Sequence, residues 1–197
     1  MKSKQQQLKG VASFISGYTF RGSVPLNQQG DTFIIQASDV LDNGSLRSDE
    51  ELNKIDRAST KTSAYAKEGD VFLVSRSVVS GIFRSACMPR REGAHLVSSS
   101  VIILRPDADV ILPEYLQIFL NSSRGQMKLQ KISAGSHIVT LQKRDLEKIP
   151  IPIFSLEDQK MLVQLSGSIR GQKKLLNNKI ELLDQLFSSI TTAIEKQ

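Results

Sequence analysis

The sequence contains a single cysteine, Cys87, among its 197 residues. One cysteine excludes an intrachain disulfide and any zinc site built from several thiolates. The two histidines, His95 and His137, are widely separated in the chain and have no paired cysteines with which to share a metal. We therefore expect no bound metal, and a reducing compartment is the natural environment for such a chain.

Long hydrophobic runs are absent as well. The longest, such as residues 101–104, are far too short to span a bilayer, and the start, M-K-S-K-Q-Q-Q, lacks the apolar segment of a secretory signal. The hydrophobic content of 40% is typical of a soluble globular protein. The sequence thus predicts a cytoplasmic protein without a membrane partner, long enough for one domain and an appendage.

The motifs of common catalytic sites are also missing. The sequence has no glycine-rich dinucleotide fingerprint and no P-loop, and no G-x-S-x-G elbow accompanies His137. We expect no catalytic residues and no cofactor in this chain. A hydrolase centred on His137 stays open as an alternative, since the members of a catalytic triad have no fixed sequence spacing.

The charge is unevenly distributed. The formal net charge is +6, yet residues 1–70 carry nine Lys/Arg against nine Asp/Glu, whereas residues 71–148 carry eleven against six. A local excess of cations favours contact with a polyanion such as DNA. A solvated basic surface without a partner is the alternative.

Ten polar residues in this basic half are candidate DNA contacts. They fall in or beside predicted loops, turns and helix ends, where side chains can reach phosphates or base edges if the fold brings them together. The candidates are Arg76, Arg84, Arg90, Arg91, Lys128, Lys131, Ser136, His137, Lys143 and Arg144.

Short apolar runs separated by turn residues predict an α+β domain of mixed and antiparallel strands with short helices. Residues 1–10 are polar and glutamine-rich, which predicts a frayed end. Residues 47–67 are compatible with a loop or a short helix. Strands are expected from Val11, over 31–37, as a hairpin within 71–88 and over 96–104; helices are expected from Pro113, over 127–132 and just before 148.

The segment K-I-P-I-P-I-F-S-L-E-D-Q, residues 148–159, separates this domain from a helical region. Pro150 and Pro152 forbid a helix and predict an edge strand or an extended strap. Ser155 can cap the following helix, with Asp158 reaching back to complete a capping box.

Beyond Ser155 the apolar residues recur at spacings of three and four, with a stutter near Leu176. A helix over residues 156–194 would be about 58 Å long, too long to lie wholly on one small domain. Its apolar stripe predicts a paired coiled coil, and a helix folded back on its own domain is the alternative. The predicted dimerisation residues are Leu162, Leu165, Ile169, Leu176, Ile180, Leu183, Phe187 and Ile190.

Three segments in this order, followed by a long helix, resemble the specificity (S) subunits of type I restriction-modification systems in a half-length form. They are I-S-G-Y-T-F-R-G, A-K-E-G-D-V-F-L-V-S and L-E-K-I-P-I-P-I-F-S-L-E-D-Q. The resemblance implies a target recognition domain over residues 1–154 and a conserved helical region for dimerisation and spacing over 155–197.

The resemblance also implies a non-catalytic subunit that binds double-stranded DNA. As a homodimer it would read a symmetric bipartite site and dock methyltransferase (M) and restriction/motor (R) subunits. S-adenosylmethionine, ATP and Mg would then belong to those partners. A stand-alone coiled-coil DNA-binding regulator and an assembly or anti-restriction protein that mimics an S subunit are the alternatives.

Overall fold

The computed structural model of the chain describes residues 3–56, 62–78 and 81–194, with side chains described as far as residue 191. The strands are β1 (Lys4–Gln7), β2 (Ala12–Ser16), β3 (Thr32–Ile35), β4 (Asn53–Ile55), β5 (Val71–Val74), β6 (Arg76–Val78), β7 (Ser85–Cys87), β8 (Ala94–Val97), β9 (Val101–Pro106), β10 (Ile138–Thr140) and β11 (Pro150–Ile153). The α-helices are α1 (Pro113–Asn121), α2 (Ser123–Ile132), α3 (Lys143–Leu146) and α4 (Leu156–Ile194). The chain forms two compact units, Met1–Gln159 and Lys160–Gln197.

The described residues of the first unit form four small sheets. One is antiparallel with strand order β2-β9-β5-β7, and a second has the order β4-β3-β8, in which β3 runs parallel to β8 and antiparallel to β4. Two antiparallel pairs, β1 with β11 and β6 with β10, complete the set. The α+β fold class predicted from the sequence is confirmed.

The core lies where the two larger sheets meet. Strand β5 is buried along its whole length, and α1 packs against β5, β7 and β9. In β3, Ile35 belongs to the cluster around Phe72, whereas Ile34 belongs to a second cluster with Ile55 and Leu96. Successive residues of a strand point to opposite faces, so β3 joins both clusters.

The hairpin predicted within residues 71–88 is confirmed in part. Strands β5 and β7 pair antiparallel, with Leu73 opposite Ser85. Their connection is more than the predicted loop, because it contains β6, which pairs with β10 rather than with its neighbours in sequence. Residues 47–67 contain a 3-10 turn, Asp49–Glu51, and β4, while residues 57–61 lie outside the described part.

The frayed N-terminal end predicted for residues 1–10 is wrong over the described residues. Strand β1 pairs with β11, and Leu8 is fully buried, with its backbone N donating to the Ile149 oxygen over 2.9 Å. Strand β11 contains two prolines and can form a full set of hydrogen bonds along only one edge, and β1 pairs with that edge. The polar composition of residues 1–10 does not predict this pairing.

The strap predicted around Pro150 and Pro152 is confirmed as β11. Because proline has no backbone N–H, the donors that β11 offers to β1 are Ile151 and Ile153, whereas both prolines sit at the alternate positions. The Tyr115 hydroxyl donates to the Pro152 oxygen over 2.6 Å and ties the strap to α1.

Helix α4 begins at Leu156, as predicted. Of the two hydrogen bonds in the predicted capping box, one is present. The Asp158 N donates to Ser155 Oγ over 3.1 Å, and the described hydrogen bonds include no return bond from Ser155 N to the Asp158 carboxylate. Gln159 anchors the first turn: it is fully buried, its Oε1 accepts from Leu112 N over 2.9 Å, and its Nε2 donates to the Val110 oxygen over 3.0 Å.

In the second unit α4 continues as a helix to Ile194. Gly167 and Gly171 do not interrupt it, and a Cβ at either position would meet nothing within 4 Å. Among the described residues, no helix is both long and apolar enough to cross a membrane.

Candidate nucleic-acid interface

The β6–β10 pair forms a two-stranded ribbon on the surface of the first unit. Arg76 lies opposite Thr140 and Val78 lies opposite Ile138. Residues opposite one another share a face, so these four side chains form the outer face of the ribbon, which is largely exposed. Between them Val139 points inward and is 9% exposed.

The ribbon is rooted in the core. Leu141 N donates to the Ser75 oxygen over 2.9 Å, and Ser75 N donates to the Ser100 oxygen over 3.0 Å. Ser75 and Leu141 are buried, whereas Val78 and Ile138 at the far end are 65% and 64% exposed. Exposure therefore increases from the root to the far end, and the ribbon presents its outer face to solvent.

Two glycines shape the loops that flank the ribbon. At Gly81 a Cβ would lie 2.3 Å from Ser77 Oγ, and at Gly135, with φ of +139°, it would lie 2.1 Å from the Ile138 oxygen. Neither position accommodates a side chain without a backbone shift. The Ala134 and Thr140 backbones exchange two hydrogen bonds, which closes the loop that carries the candidates Ser136 and His137.

The ribbon brings three of the ten candidates together. Arg76 is exposed on its outer face, and Ser136 and His137 are exposed in the loop that leads into β10. Arg76 makes no ion pair within the described residues. A guanidinium that is not held by a carboxylate keeps all its donors for a ligand.

Helix α3 starts two residues after Leu141 and so places Lys143 and Arg144 near the root of the ribbon. Lys143 is 54% exposed, and its Nζ lies 3.4 Å from the Phe14 oxygen and 4.0 Å from Glu147. Arg144 is 77% exposed and lies 3.8 Å from Asp145. Both remain accessible to a polyanion.

Lys128 and Lys131 lie on a different side of α2. The opposite side of the helix faces the segment before β7, where Gln126 bonds to both backbone groups of Phe83. The two lysines line a surface groove bordered by the N-terminal strand and the proline strap, and Arg124 lines the same groove. Both lysines also line a groove with Asp145 and Lys148, so they lie beside the region of α3 and not on the ribbon itself.

Two candidate arginines are engaged inside the first unit. Arg91 is 13% exposed and donates to Asp49 Oδ1 and to the Arg47 oxygen, both over 2.7 Å. Arg84 donates to the Ala37 oxygen over 3.1 Å and lies 3.5 Å from Asp42. Arg90 is exposed in the loop before β8.

The segments of the chain that supply the two ribbon strands and α2 contain no carboxylates. Residues 71–91 and 115–144 include nine Lys/Arg and no Asp or Glu. The first segment supplies β6 and the second supplies β10 and α2. Pairing of β6 with β10 thus joins two stretches that attract anions.

His95, which was not among the candidate DNA contacts, is a buried structural residue. His95 is 2% exposed, stacks on Phe33 with ring centroids 4.9 Å apart, and its Nε2 lies 2.9 Å from Asp49 Oδ1. Over the described part of the chain, no group of three or more His, Cys, Asp or Glu side chains is arranged to hold a metal ion.

The apolar stripe predicted for the second unit is exposed along α4. Its members Leu165, Ile169, Leu176, Ile180, Leu183, Phe187 and Ile190 are 46–69% exposed, and Leu162 is half-buried. The sequence interpretation missed a second row, Leu175, Leu182 and Leu186, which are 57–70% exposed. Their spacings of seven and four residues place them beside the first row and widen the apolar face.

The sequence matches the family described as type I restriction modification DNA specificity domain over residues 2–185. Over 186 residues it is 24% identical to the type I restriction enzyme StySPI specificity subunit of Salmonella potsdam. That match covers 93% of this chain and 40% of the Salmonella protein.

The fold is similar to three solved structures. The HsdS subunit from Thermoanaerobacter tengcongensis has a TM-score of 0.63 and 21% identity, with 90% of this chain and 39% of that chain covered. A chain from a type I R-M system has a TM-score of 0.66 and 22% identity, covering 88% and 40%. The S subunit from M. genitalium gives 0.58 and 12%, covering 92% and 42%. The chain thus spans about two fifths of the length of the relatives it matches.

Proposed function

Because the chain belongs to the type I restriction modification DNA specificity domain family, we propose that it recognises a specific double-stranded DNA sequence and catalyses no reaction itself. In this proposal residues 1–154 form the target recognition domain and residues 155–197 form the helical dimerisation and spacer region. We propose the cytoplasm as its compartment.

The observation that carries the proposal is the ribbon with its charge environment. A two-stranded β-ribbon fits the major groove of B-DNA, where the base pairs present distinguishable patterns of donors and acceptors. Arg76 stands on the outer face of such a ribbon, and the ribbon belongs to segments without carboxylates. Arg76, Ser136 and His137 are the proposed base-reading group, while Lys143 and Arg144 contact phosphates.

Lys128, Lys131 and Arg90 are proposed as phosphate contacts at the margin of the interface. Arg84 and Arg91 contribute mainly by fixing the loops that carry exposed residues, since their guanidinium groups are already bonded within the domain. This division ranks the candidates by their remaining hydrogen-bonding capacity.

We propose that α4 pairs with a second copy of the chain. A row of eight apolar residues on a long helix, seven of them exposed, is unfavourable in water and favours association. A two-fold dimer presents two identical recognition domains, so its DNA site is a symmetric pair of half-sites separated by a spacer.

Docking of the M and R subunits is part of the same proposal. The apolar face of α4 is wider than the seam of a two-stranded coiled coil, because Leu175, Leu182 and Leu186 flank the first row. The additional row supports contact with a further helix after the dimer has formed. Methyl transfer with S-adenosylmethionine and hydrolysis of ATP with Mg are assigned to those partner subunits.

The direct test is selection from a library of randomised DNA duplexes with the purified full chain at a fixed salt concentration. We expect one interrupted, symmetric sequence to be enriched and to bind on the order of 10³-fold more tightly than random DNA. Equal binding of all duplexes would contradict sequence recognition.

Co-expression with a type I M subunit separates the specificity subunit from its alternatives. We expect a stable complex and methylated adenine within the selected sequence. Tight specific binding without any complex would favour a stand-alone regulator. A complex that leaves the selected sequence unmethylated would favour an assembly or anti-restriction protein.

A further inference from the structure

The far end of the ribbon exposes two aliphatic side chains side by side. Val78 and Ile138 are directly opposite in the β6–β10 register, and they are 65% and 64% exposed. Exposure of a paired valine and isoleucine leaves favourable burial of apolar surface unrealised. The pair is therefore available for contact with a ligand.

The register of the ribbon holds this pair outward. Val139, the residue between the two outer positions of β10, is buried, and its partner Ser77 faces the same inner side. A shift by one residue would turn Val139 outward and the aliphatic pair inward. The bonds between the Ala134 and Thr140 backbones and from Leu141 N to the Ser75 oxygen fix the register at the C-terminal end of β10.

We infer that Val78 and Ile138 read the C5-methyl groups of thymine in the major groove, so that the recognised half-site contains at least one thymine held by this pair. The inference rests on the proposed DNA recognition and adds to it a base preference. Thymine carries the only methyl group in the major groove of unmodified DNA, and aliphatic side chains distinguish it by contact rather than by hydrogen bonds.

The positive charge around the aliphatic pair favours DNA, a polyanion, as the ligand of this face. Arg76 lies on the same outer face two residues before Val78, and His137 directly precedes Ile138. Both strands come from segments without Asp or Glu. An apolar partner protein would bury the aliphatic pair but offer no acceptor to Arg76, whereas the major groove offers guanine acceptors to Arg76 beside thymine methyl groups.

The test uses the duplex enriched from the randomised library, with each thymine replaced in turn by uracil, which lacks only the methyl group. For the wild-type chain we expect one or two of these replacements to weaken binding roughly three- to fivefold, and the others to have no effect. In the Val78→Ala/Ile138→Ala double variant, binding to the thymine duplex should be weakened and the uracil replacements should no longer matter.

Two further variants serve as controls. Leu26→Ala removes an exposed aliphatic side chain, 53% exposed, away from the ribbon and should keep the wild-type response to uracil. Val78→Thr preserves the shape of the side chain and the strand propensity but adds a hydroxyl group, and it should lose part of the methyl preference with its fold intact. Thermal unfolding of each variant verifies the fold.

The outcomes distinguish the two levels of the hypothesis. Failure to enrich any sequence would contradict the proposed function and this inference with it. An enriched sequence without thymine, or a double variant that remains as sensitive to uracil as the wild type, would overturn this inference alone and leave DNA recognition in place.

Discussion

The charged residues of this chain differ in how much stability their removal should cost, because only some of them pair with a buried charge. Arg105 donates from Nε and Nη2 to the two carboxylate oxygens of Asp70, over 2.7 and 2.8 Å. The carboxylate is 1% exposed, whereas the arginine side chain is 29% exposed. The bidentate pair raises the pKa of Arg105 above its ordinary value, chiefly through the hydrogen bonds to Asp70. Removal of Arg105 would therefore leave a buried carboxylate charge without a cation to compensate it.

We predict that Arg105→Met lowers the free energy of unfolding by about 3–5 kcal/mol, because it leaves the Asp70 carboxylate buried without its cation. The matched control is Arg144→Met, at a side chain that is 77% exposed, which should change stability by no more than about 0.5 kcal/mol. All three tyrosines lie in the first unit and the chain has no tryptophan, so tyrosine fluorescence during urea unfolding reports on that unit. Equal effects of the two substitutions would contradict this explanation.

The arginines of the basic half should separate into binding and structural residues. Arg76→Gln should leave stability unchanged within about 0.5 kcal/mol and weaken specific DNA binding by about 1–3 kcal/mol. Arg91→Gln should cost about 3 kcal/mol of stability, since it breaks the contacts with Asp49 and the Arg47 oxygen. Urea unfolding and fluorescence anisotropy with a labelled duplex measure both quantities, and the reverse pattern would show that the roles are exchanged.

At the scale of elements, the proline strap depends on a contact from α1. The Tyr115 hydroxyl donates to the Pro152 oxygen over 2.6 Å, and burial raises its pKa from 10.0 to about 12. The native state thus holds the phenolic proton more tightly than the unfolded chain does. The stabilisation from this proton is complete below pH 10 and is lost as the pH rises towards about 12.

We predict that Tyr115→Phe costs about 1 kcal/mol near neutral pH, the net value of one hydrogen bond. The difference in unfolding free energy between wild type and variant should shrink as the pH rises above 10. Urea unfolding followed by far-UV circular dichroism at several pH values measures that difference. A constant difference across the range would mean that the pKa of Tyr115 is the same in the native and unfolded states, which would contradict the raised native pKa.

Elements with a strong local signal could be predicted from the sequence. Ser155 and the apolar spacing predicted the start and length of α4, and Pro113 predicted the start of α1. Strands β1, β6 and β10 have three or four residues each and pair with segments far away in the chain, as Arg76 does with Thr140. Such short strands show no period of their own, and their distant partners are not visible in one sequence.

The candidate interface was predictable only at the level of charge. An excess of cations in residues 71–148 indicated a polyanion, but whether each arginine has a carboxylate nearby depends on the tertiary fold. Arg91 meets Asp49 across 42 residues, while Arg76 meets no carboxylate in the part of the chain that the structure describes. For Val78 and Ile138 the sequence points away from a binding surface, because aliphatic residues in short strands predict burial. In the structure both side chains are exposed.

For the whole molecule, the proposed recognition of two half-sites depends on pairing of α4, and Leu183 belongs to its first apolar row and is 54% exposed. We predict that the wild-type chain is a dimer at micromolar concentration and that Leu183→Lys weakens dimerisation at least on the order of 100-fold, since both copies lose the burial of a leucine. The control is Gln185→Lys, which adds the same charge on the opposite side of the helix. Sedimentation equilibrium measures both variants.

Loss of α4 pairing should weaken DNA binding because a monomer holds only one recognition domain, and not because that domain itself is changed. Each Leu183→Lys monomer retains its ribbon, so its affinity for a single half-site should equal that of the wild type. Its affinity for the complete site should fall by at least about 10²-fold, because the second half-site no longer binds as a tethered event. A wild-type chain that binds the complete site tightly as one copy per duplex would require that one copy reads both halves, and the proposed two-fold arrangement would then be wrong.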